Sequence, residues 1–164
     1  MKTSIEAYTD RYKQQVIDLI VPIQQEEFII PITAEDQPDL QKIPTFYQID
    51  NGNFWLAIND GRVVGTISLL DIGNRQGALR KMFVHKEYRG KEHGTAQLLL
   101  NTLFSWAKRK DYAEVYLGTT AKFLTAHRFY EKNGFVEIPV ADLPTSFQRM
   151  AVDVKFYRYD FSSK

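Results

Sequence analysis

Val84-His85-Lys86-Glu87-Tyr88-Arg89-Gly90-Lys91-Glu92-His93-Gly94-Thr95-Ala96, followed further on by Ala126-His127-Arg128-Phe129-Tyr130-Glu131-Lys132-Asn133-Gly134-Phe135, is the part of the chain that decides its fold. The first piece predicts a strand running into a basic, glycine-containing turn that starts a helix. Such a turn leaves backbone N–H groups unpaired at a helix N-terminus, so it suits an anion, above all a pyrophosphate. Gly90 and Gly94 remove Cβ obstruction, Arg89, Lys91 and His93 add positive charge, and the Thr95 hydroxyl can donate to a phosphate oxygen. Read in isolation, the same residues also fit an ordinary strand-to-helix loop. The second piece predicts a short helix carrying a tyrosine and stopped by Asn133-Gly134 as a left-handed cap.

Outward from this region the pattern supplies the remaining elements. Gly94 to Lys110 is a helix with adjoining apolar stripes, Leu99, Leu103, Trp106 and Leu100, Phe104, Ala107, and with Lys108, Arg109 and Lys110 in its last turn. Glu114 to Thr119 is a short strand, Leu124 to Lys132 a helix, and Phe135 to Ile138 a strand. Pro139 to Gln148 is a loop. Met150 to Tyr159 alternates Met150, Val152, Val154 and Phe156 against Asp153, Lys155 and Tyr157, which predicts a half-buried strand. Upstream, Ala78 to Val84 is a strand. Phe54 to Ile58 and Arg62 to Leu70 form a hairpin around Asn59-Asp60-Gly61, and Gly65 marks a bulge or a close backbone approach. Ser4 to Tyr8 is a first strand. From about Arg11, Val16, Leu19, Ile20 and Ile23 recur at helical spacing, with Pro22 kinking or ending the helix. Thr33 to Pro44 reads as loop with one helical turn. The order predicts an α/β fold: one domain over 1–164, with a mixed sheet and helices on both faces.

Composition narrows the function. The chain has 164 residues, 44% hydrophobic, with 21 Lys+Arg against 20 Asp+Glu, so bulk charge gives no nucleic-acid-binding surface. There is no cysteine, which excludes disulfides, thiolate metal sites and a cysteine nucleophile. Three scattered histidines propose no zinc site, and no metal is expected. The N-terminus lacks a signal-peptide pattern and the apolar runs are strand-sized, so the expectation is a soluble cytoplasmic protein with no membrane partner.

In this order and spacing the two quoted pieces resemble the acyl-CoA-binding half of the GNAT superfamily of N-acetyltransferases, and the likeness runs from about Phe54 to Tyr159. Family members carry Arg or Gln, two residues, Gly, one residue, then Gly or Ala. Here Arg89, Glu92 and Gly94 hold those positions. Glu92 is a departure, because a carboxylate beside a diphosphate is unfavourable and a non-glycine restricts φ. Either it points into solvent or coenzyme affinity is reduced.

The resemblance implies the GNAT fold, a mostly antiparallel mixed sheet with a splayed parallel pair, and acetyl-CoA as cosubstrate. The strand through Met82, Phe83 and Val84 would pair its free backbone groups with the pantetheine arm, as a strand adds to an open edge. The pyrophosphate would lie on Arg89, Gly90, Lys91, Glu92, His93, Gly94 and Thr95. Ala126 and Phe129 would flank the pantetheine, and Lys132 would reach a phosphate or complement the helix dipole. Tyr130 stands at the family's place for the general acid that protonates the leaving thiolate. His127 is read as a solvated helix residue.

No carboxylate lies on Ala78 to Val84, where Arg80 and Lys81 sit instead. Glu26 and Glu27 are the base candidates, at the place of the family's acceptor cleft, or else a solvated acidic face; Asp71 is a further candidate. Phe28, Tyr47, Phe54 and Trp55 form an aromatic wall to the acceptor or belong to the core.

The implied activity is transfer of acetyl from acetyl-CoA to the primary amine of a small molecule or peptide by direct attack. A catalytically weak module that binds or senses CoA is the alternative, favoured by Glu92 and the missing strand base. A nucleic-acid role through Arg89, Lys91, Lys108, Arg109 and Lys110 lacks a reading motif. Many family members pair through sheet edges, so the resemblance admits a homodimer.

Overall fold

The computed structural model describes residues 3–121 and 124–161; Met1 and Lys2 of the N-terminal reading lie outside them. The hairpin forms as the sequence predicts. Asp60 and Gly61 have φ of 53° and 77°, the pair of positive values that a two-residue loop needs to match strand twist. They join β2 (Asn53–Asn59) to β3 (Arg62–Asp71). Gly65 answers both of its expectations. The register shifts beside it, between Ala57 and Ile58, and a Cβ at Gly65 would lie 3.0 Å from Leu99 Cδ1 and 3.2 Å from the Phe83 carbonyl.

One seven-stranded sheet runs in the order β1-β2-β3-β4-β5-β7-β6. The other strands are β1 (Ser4–Ala7), β4 (Gln76–Val84), β5 (Glu114–Thr119), β6 (Val136–Ile138) and β7 (Lys155–Asp160). Every neighbouring pair is antiparallel except β4 and β5. Helices cover both faces, so the predicted mixed architecture is the observed one.

On one face α1 (Lys13–Pro22) buries Val16, Leu19 and Ile20. Pro22 ends it, and the chain continues as one π-helical turn, Ile23–Glu27. Two single-turn helices, α2 (Pro38–Gln41) and α3 (Ile43–Phe46), each with proline in the first turn, follow where one turn was predicted. On the other face α4 (Thr95–Arg109) buries Leu99, Leu100, Leu103 and Ala107 against Ile67, Leu69, Val115 and Leu117. Each such side chain contributes about 1.5–3 kcal/mol by leaving water. α5 (Leu124–Lys132) ends at Gly134, φ 95°, the predicted left-handed stop.

Two expectations fail, and one open alternative is decided. β7 begins only at Lys155. Met150, Val152 and Val154 are 39, 42 and 64% exposed, and Asp153 is the residue buried in that segment. β7 is then covered on both faces: Phe156 packs with Tyr116, while Tyr157 and Tyr159 enter the α4-side core. Leu143 and Phe147 of the preceding loop cover the Phe156 side, so neither face is left to water as an alternation assumes. His127 is buried rather than solvated, its Nε2 at 2.7 Å from the Thr120 carbonyl. The four aromatics form no common wall. Tyr47 and Phe54 are fully buried in the α1-side core, Trp55 packs on Trp106 across the sheet, and Phe28 sits beside Phe83.

Candidate functional site

Two distortions of β4 build the site. The first is a parting of the sheet. The β4–β5 ladder holds only Gln76↔Glu114, Gly77↔Val115 and Ala78↔Tyr116, after which β5 stays with β7 and β4 runs on with β3. From Leu79 onward β4 presents an edge with no strand partner on its β5 side, in the middle of the sheet. The second is a bulge. Thr66 faces Phe83 while Ser68 faces Arg80, so β4 carries an extra residue between them, and Lys81 takes φ 53°. The ladder is broken there, and the buried Thr66 and Ser68 hydroxyls donate to the Lys81 and Arg80 carbonyls at 2.7 and 2.6 Å.

Below the parting lies the glycine turn. Gly90 and Gly94 have φ of 102° and 64°, and both the His93 and Gly94 amides donate back to the Gly90 carbonyl. Gly94 caps α4, and the Leu98 amide donates to its carbonyl, so the helix opens with its first N–H groups directed at the turn. Thr95 is 1% exposed, and its Oγ1 is the one fully buried side-chain polar atom, among the described residues, without a hydrogen-bond partner. An orphaned hydroxyl at the mouth of a helix of this length fits a phosphate oxygen.

Arg89 is not free. Its guanidinium pairs with Glu27 in two-point fashion, at 2.7 and 3.0 Å, and its Nε donates to the Val84 carbonyl. Lys91, Glu92, His93 and Lys132 are exposed. The Glu92 carboxylate lies over Gly90, its Oε1 3.5 Å from where a Cβ would be.

Met82, Phe83 and Val84 are the half-buried residues along the open edge of β4. Met82 and Val84 pack on the α4 side and Phe83 on the α1 side. Across from Met82, α5 presents Tyr130, 9% exposed, with its hydroxyl 3.8 Å from Met82 Sδ. Burial pushes this phenol up to about 12, so it holds its proton throughout the neutral range. Ala126 and Phe129 are half-buried on the same helix and pack against the same cluster. The structure therefore brings Met82, Tyr130, Ala126 and Phe129 together around one core region.

Glu26 and Glu27 lie elsewhere. With Asp18, Arg62 and His85 they line a cleft of about 410 Å³ between α1 and the ends of β3 and β4, which neither Lys81, Met82 nor Tyr130 lines, and Glu27 reaches the glycine turn only through Arg89. Asp71 caps a turn, accepting from the Asn51 and Gly73 amides.

The α1-side surface of the parting holds the charged groups that sequence reading did not assemble. Because of the bulge, Arg80 and Lys81 both reach Asp39 Oδ2, each at 3.7 Å. Tyr47 donates to the same carboxylate oxygen at 2.6 Å, and Lys81 donates to Gln37 Oε1 at 2.5 Å. Burial lowers Lys81 from the usual lysine range, and Asp39 opposes that shift. On the β5 side, Asp153 covers Gly118 so closely that a Cβ there would fall 2.6 Å from its Oδ2. The signal for this cluster was present: two adjacent cations in Ala78-Leu79-Arg80-Lys81-Met82-Phe83-Val84 cannot alternate across a sheet without one entering the core. Asp39 and Asp153 carried no such signal.

Among the described residues there is no group of His, Cys, Asp and Glu able to hold a metal, and no helix long and apolar enough to cross a membrane.

Known proteins share this arrangement. The acetyltransferase of the GNAT family from Staphylococcus aureus is 42% identical, with a TM-score of 0.91 over 96% of this chain and 98% of that one. The PaiA N-acetyltransferase from Thermoplasma acidophilum, in complex with coenzyme A, is 17% identical with a TM-score of 0.74 over 98 and 100% of the two chains, a likeness of fold alone. N-acetylaspartate synthetase of Xenopus tropicalis is 32% identical over 132 residues, 74% of this chain and 47% of that protein. The chain spans about half the length of the curated relatives it matches. The model of the acetyltransferase (GNAT) family matches residues 17–135, a span that takes in the parted strands, the glycine turn and Tyr130. By that match and that geometry, the chain belongs to the GNAT acetyltransferase family.

Proposed function

We propose that this chain is an acetyl-CoA-dependent N-acetyltransferase that acylates the primary amine of a small molecule or peptide by direct attack. The observation that carries the reading is Tyr130: a buried, protonated phenol set against Met82, where β4 leaves β5. The Thr95 hydroxyl and the first amides of α4 bind the phosphates, and the open edge of β4 pairs with an amide-bearing arm. The coenzyme A seen on a protein of the same fold supports this use of the parting. Acetyl-CoA supplies an activated acyl thioester when bound. The acceptor amine gives up a proton, its nitrogen forms the new C–N bond as the C–S bond breaks, and Tyr130 hands its proton to the departing sulfur. N-acetylaspartate, which the Xenopus synthetase is named for, is an acetylated amine, and this agrees with an amine acceptor.

One observation favours the second reading, a CoA-binding or sensing module of weak turnover: the Glu92 carboxylate over Gly90 puts negative charge in the glycine turn. The test is a thermal-shift titration with acetyl-CoA, with adenosine and free pantetheine as controls, followed by thiol-release assays on Tyr130→Phe. A ligand specific to the folded state, at about a hundred times its dissociation constant, stabilises by about 2.7 kcal/mol. We expect saturable stabilisation by acetyl-CoA, little by the fragments, and a fall in kcat of about 10²-fold in Tyr130→Phe with coenzyme binding kept. Full turnover in the variant would remove Tyr130 from the chemistry. Coenzyme binding without turnover of any amine by the wild type would favour the sensing module.

A further inference from the structure

We infer that the acceptor is a free α-amino acid, its carboxylate held by Arg80 and its ammonium by Asp153, which takes the proton that the amine must lose. This deepens the reading above and rests on it. The observations concern two residues on opposite lips of the parted sheet. The last paired residues of the parallel ladder are Ala78 and Tyr116, and two positions on, Arg80 and Gly118 occupy equivalent places on the two strands. Leu79, Val115 and Leu117 enter the α4-side core, so Arg80 and Gly118 share the other face. Asp153 stands on Gly118, covering it. A cation and a carboxylate thus flank the gap on the face away from α4.

Arg80 is built to receive an anion. Its side chain is 15% exposed and lies over the Phe46 and Tyr47 rings, 5.6 and 5.8 Å from their centroids. Among the described residues its one ion pair is with Asp39, at 3.7 Å, too long for a hydrogen bond, and the guanidinium donates none. Asp39 is already engaged by Tyr47 and Lys81. A guanidinium nearly out of water, stacked on aromatic rings and with its fork of donors unspent, is suited to a planar carboxylate.

The phosphates of the coenzyme are an unsuitable occupant. The glycine turn begins at the far end of β4, four residues on from Arg80, or about 13 Å along an extended strand. Nor is Arg80 a plain structural partner of Asp39, because the Asp39 carboxylate is closer to Tyr47 than to either cation.

Asp153 is 9% exposed and, among the described residues, accepts one hydrogen bond, from the Met150 amide at 3.2 Å. Burial raises its carboxyl, while the Met150 amide and the charges of Arg80 and Arg149 oppose that rise. A carboxylate with unused acceptor sites is a fit partner for an ammonium group. One proton passes from that ammonium to Asp153, the freed nitrogen forms the C–N bond as the C–S bond breaks, Tyr130 gives its proton to the departing sulfur, and the second proton, shed by the acylated nitrogen, restores the Tyr130 phenol. A peptide acceptor would lack the carboxylate beside its terminal amine, and a simple alkylamine would leave Arg80 unpaired.

The experiment compares wild type, Arg80→Met, Arg80→Lys and Asp153→Asn in thiol release from acetyl-CoA. The acceptors are the proteinogenic L-amino acids and, in parallel, their α-carboxamides. Acetyl-CoA thermal shifts on each variant show that it is folded and coenzyme-competent. We expect one or more free amino acids to exceed their carboxamides by at least about tenfold in kcat/KM, the scale of a charge-assisted hydrogen bond. Arg80→Met should raise KM for the acid by about tenfold or more and for the carboxamide by far less, with Arg80→Lys between. Asp153→Asn should lower kcat on both. Equal use of acids and carboxamides, a preference that survives Arg80→Met, or no amino acid accepted while another amine is, each overturns the inference and leaves the acetyltransferase reading standing. Absence of any acetyl-CoA shift sinks both.

Discussion

At the scale of single residues, the glycine turn proposed for the phosphates holds two side chains that would act on them in opposite senses. Thr95 Oγ1 is buried with no partner in the protein, so a hydrogen bond to a phosphate satisfies an atom that folding leaves unpaired. Glu92 is exposed and brings negative charge over Gly90. Glu92→Gly should therefore tighten acetyl-CoA by several-fold, and Thr95→Val should weaken it about tenfold, the worth of a bond to a charged group. Because Oγ1 bonds nothing in the free protein, Thr95→Val should leave the melting temperature without ligand nearly unchanged. Isothermal titration of both variants checks this, and equal affinities would show that the turn is not where the phosphates sit. Tyr130 illustrates how much of a residue's role is legible in sequence. Its motif gives its place on the helix, but that its hydroxyl meets a methionine sulfur from β4 is a property of the assembled sheet.

At the scale of elements, α4, α5 and the hairpin were readable because each obeys one period and carries its own boundary signal: Gly94 at the start of α4, Gly134 past the end of α5, and Asp60-Gly61 at the turn. The bulge was not readable in the same way. Nothing in a lysine announces φ 53°, a conformation strained for any residue with a Cβ, and the reason for it lies in Thr66 and Ser68 on the neighbouring strand. The early part of the predicted last strand failed for a related reason. Its alternation was real, yet Gly118 offers a bare patch of β5 that Asp153 covers, and the segment turns to reach it. That contact makes Gly118→Ala informative. The new methyl would stand 2.6 Å from Asp153 Oδ2, so the carboxylate must leave its place. We expect kcat to fall at least about tenfold, with a stability loss of about 1–3 kcal/mol for overpacking, read by denaturant unfolding beside the activity assay. Unchanged turnover would mean that the position of Asp153 is immaterial to the chemistry.

At the scale of the whole molecule, the sheet is walled by tyrosines kept neutral by burial. Tyr8, Tyr47, Tyr112, Tyr116, Tyr130, Tyr157 and Tyr159 are all raised above the ordinary phenol range, with desolvation the first cause in each. The unfolded chain gives up these protons near pH 10, whereas the folded chain retains them to higher pH. Between those limits the unfolded state binds fewer protons, so stability is full below about pH 10 and is lost as pH climbs beyond it. Melting curves from pH 8 to 11.5 should be flat and then fall steeply; a flat profile to the end would contradict the burial assigned to these phenols. A different consequence follows from the parting of β4 and β5. An unpaired strand edge is a template on which another chain can add, and proteins normally confine such edges to the rim of a sheet and blunt them there. Here the edge lies inward, so the coenzyme that occupies it would act as a plug against self-association as well as a reagent. Light scattering of the protein on prolonged warming should rise more slowly as acetyl-CoA is added, and in the cell the supply of acyl donor would then govern how long the enzyme lasts as well as how fast it works.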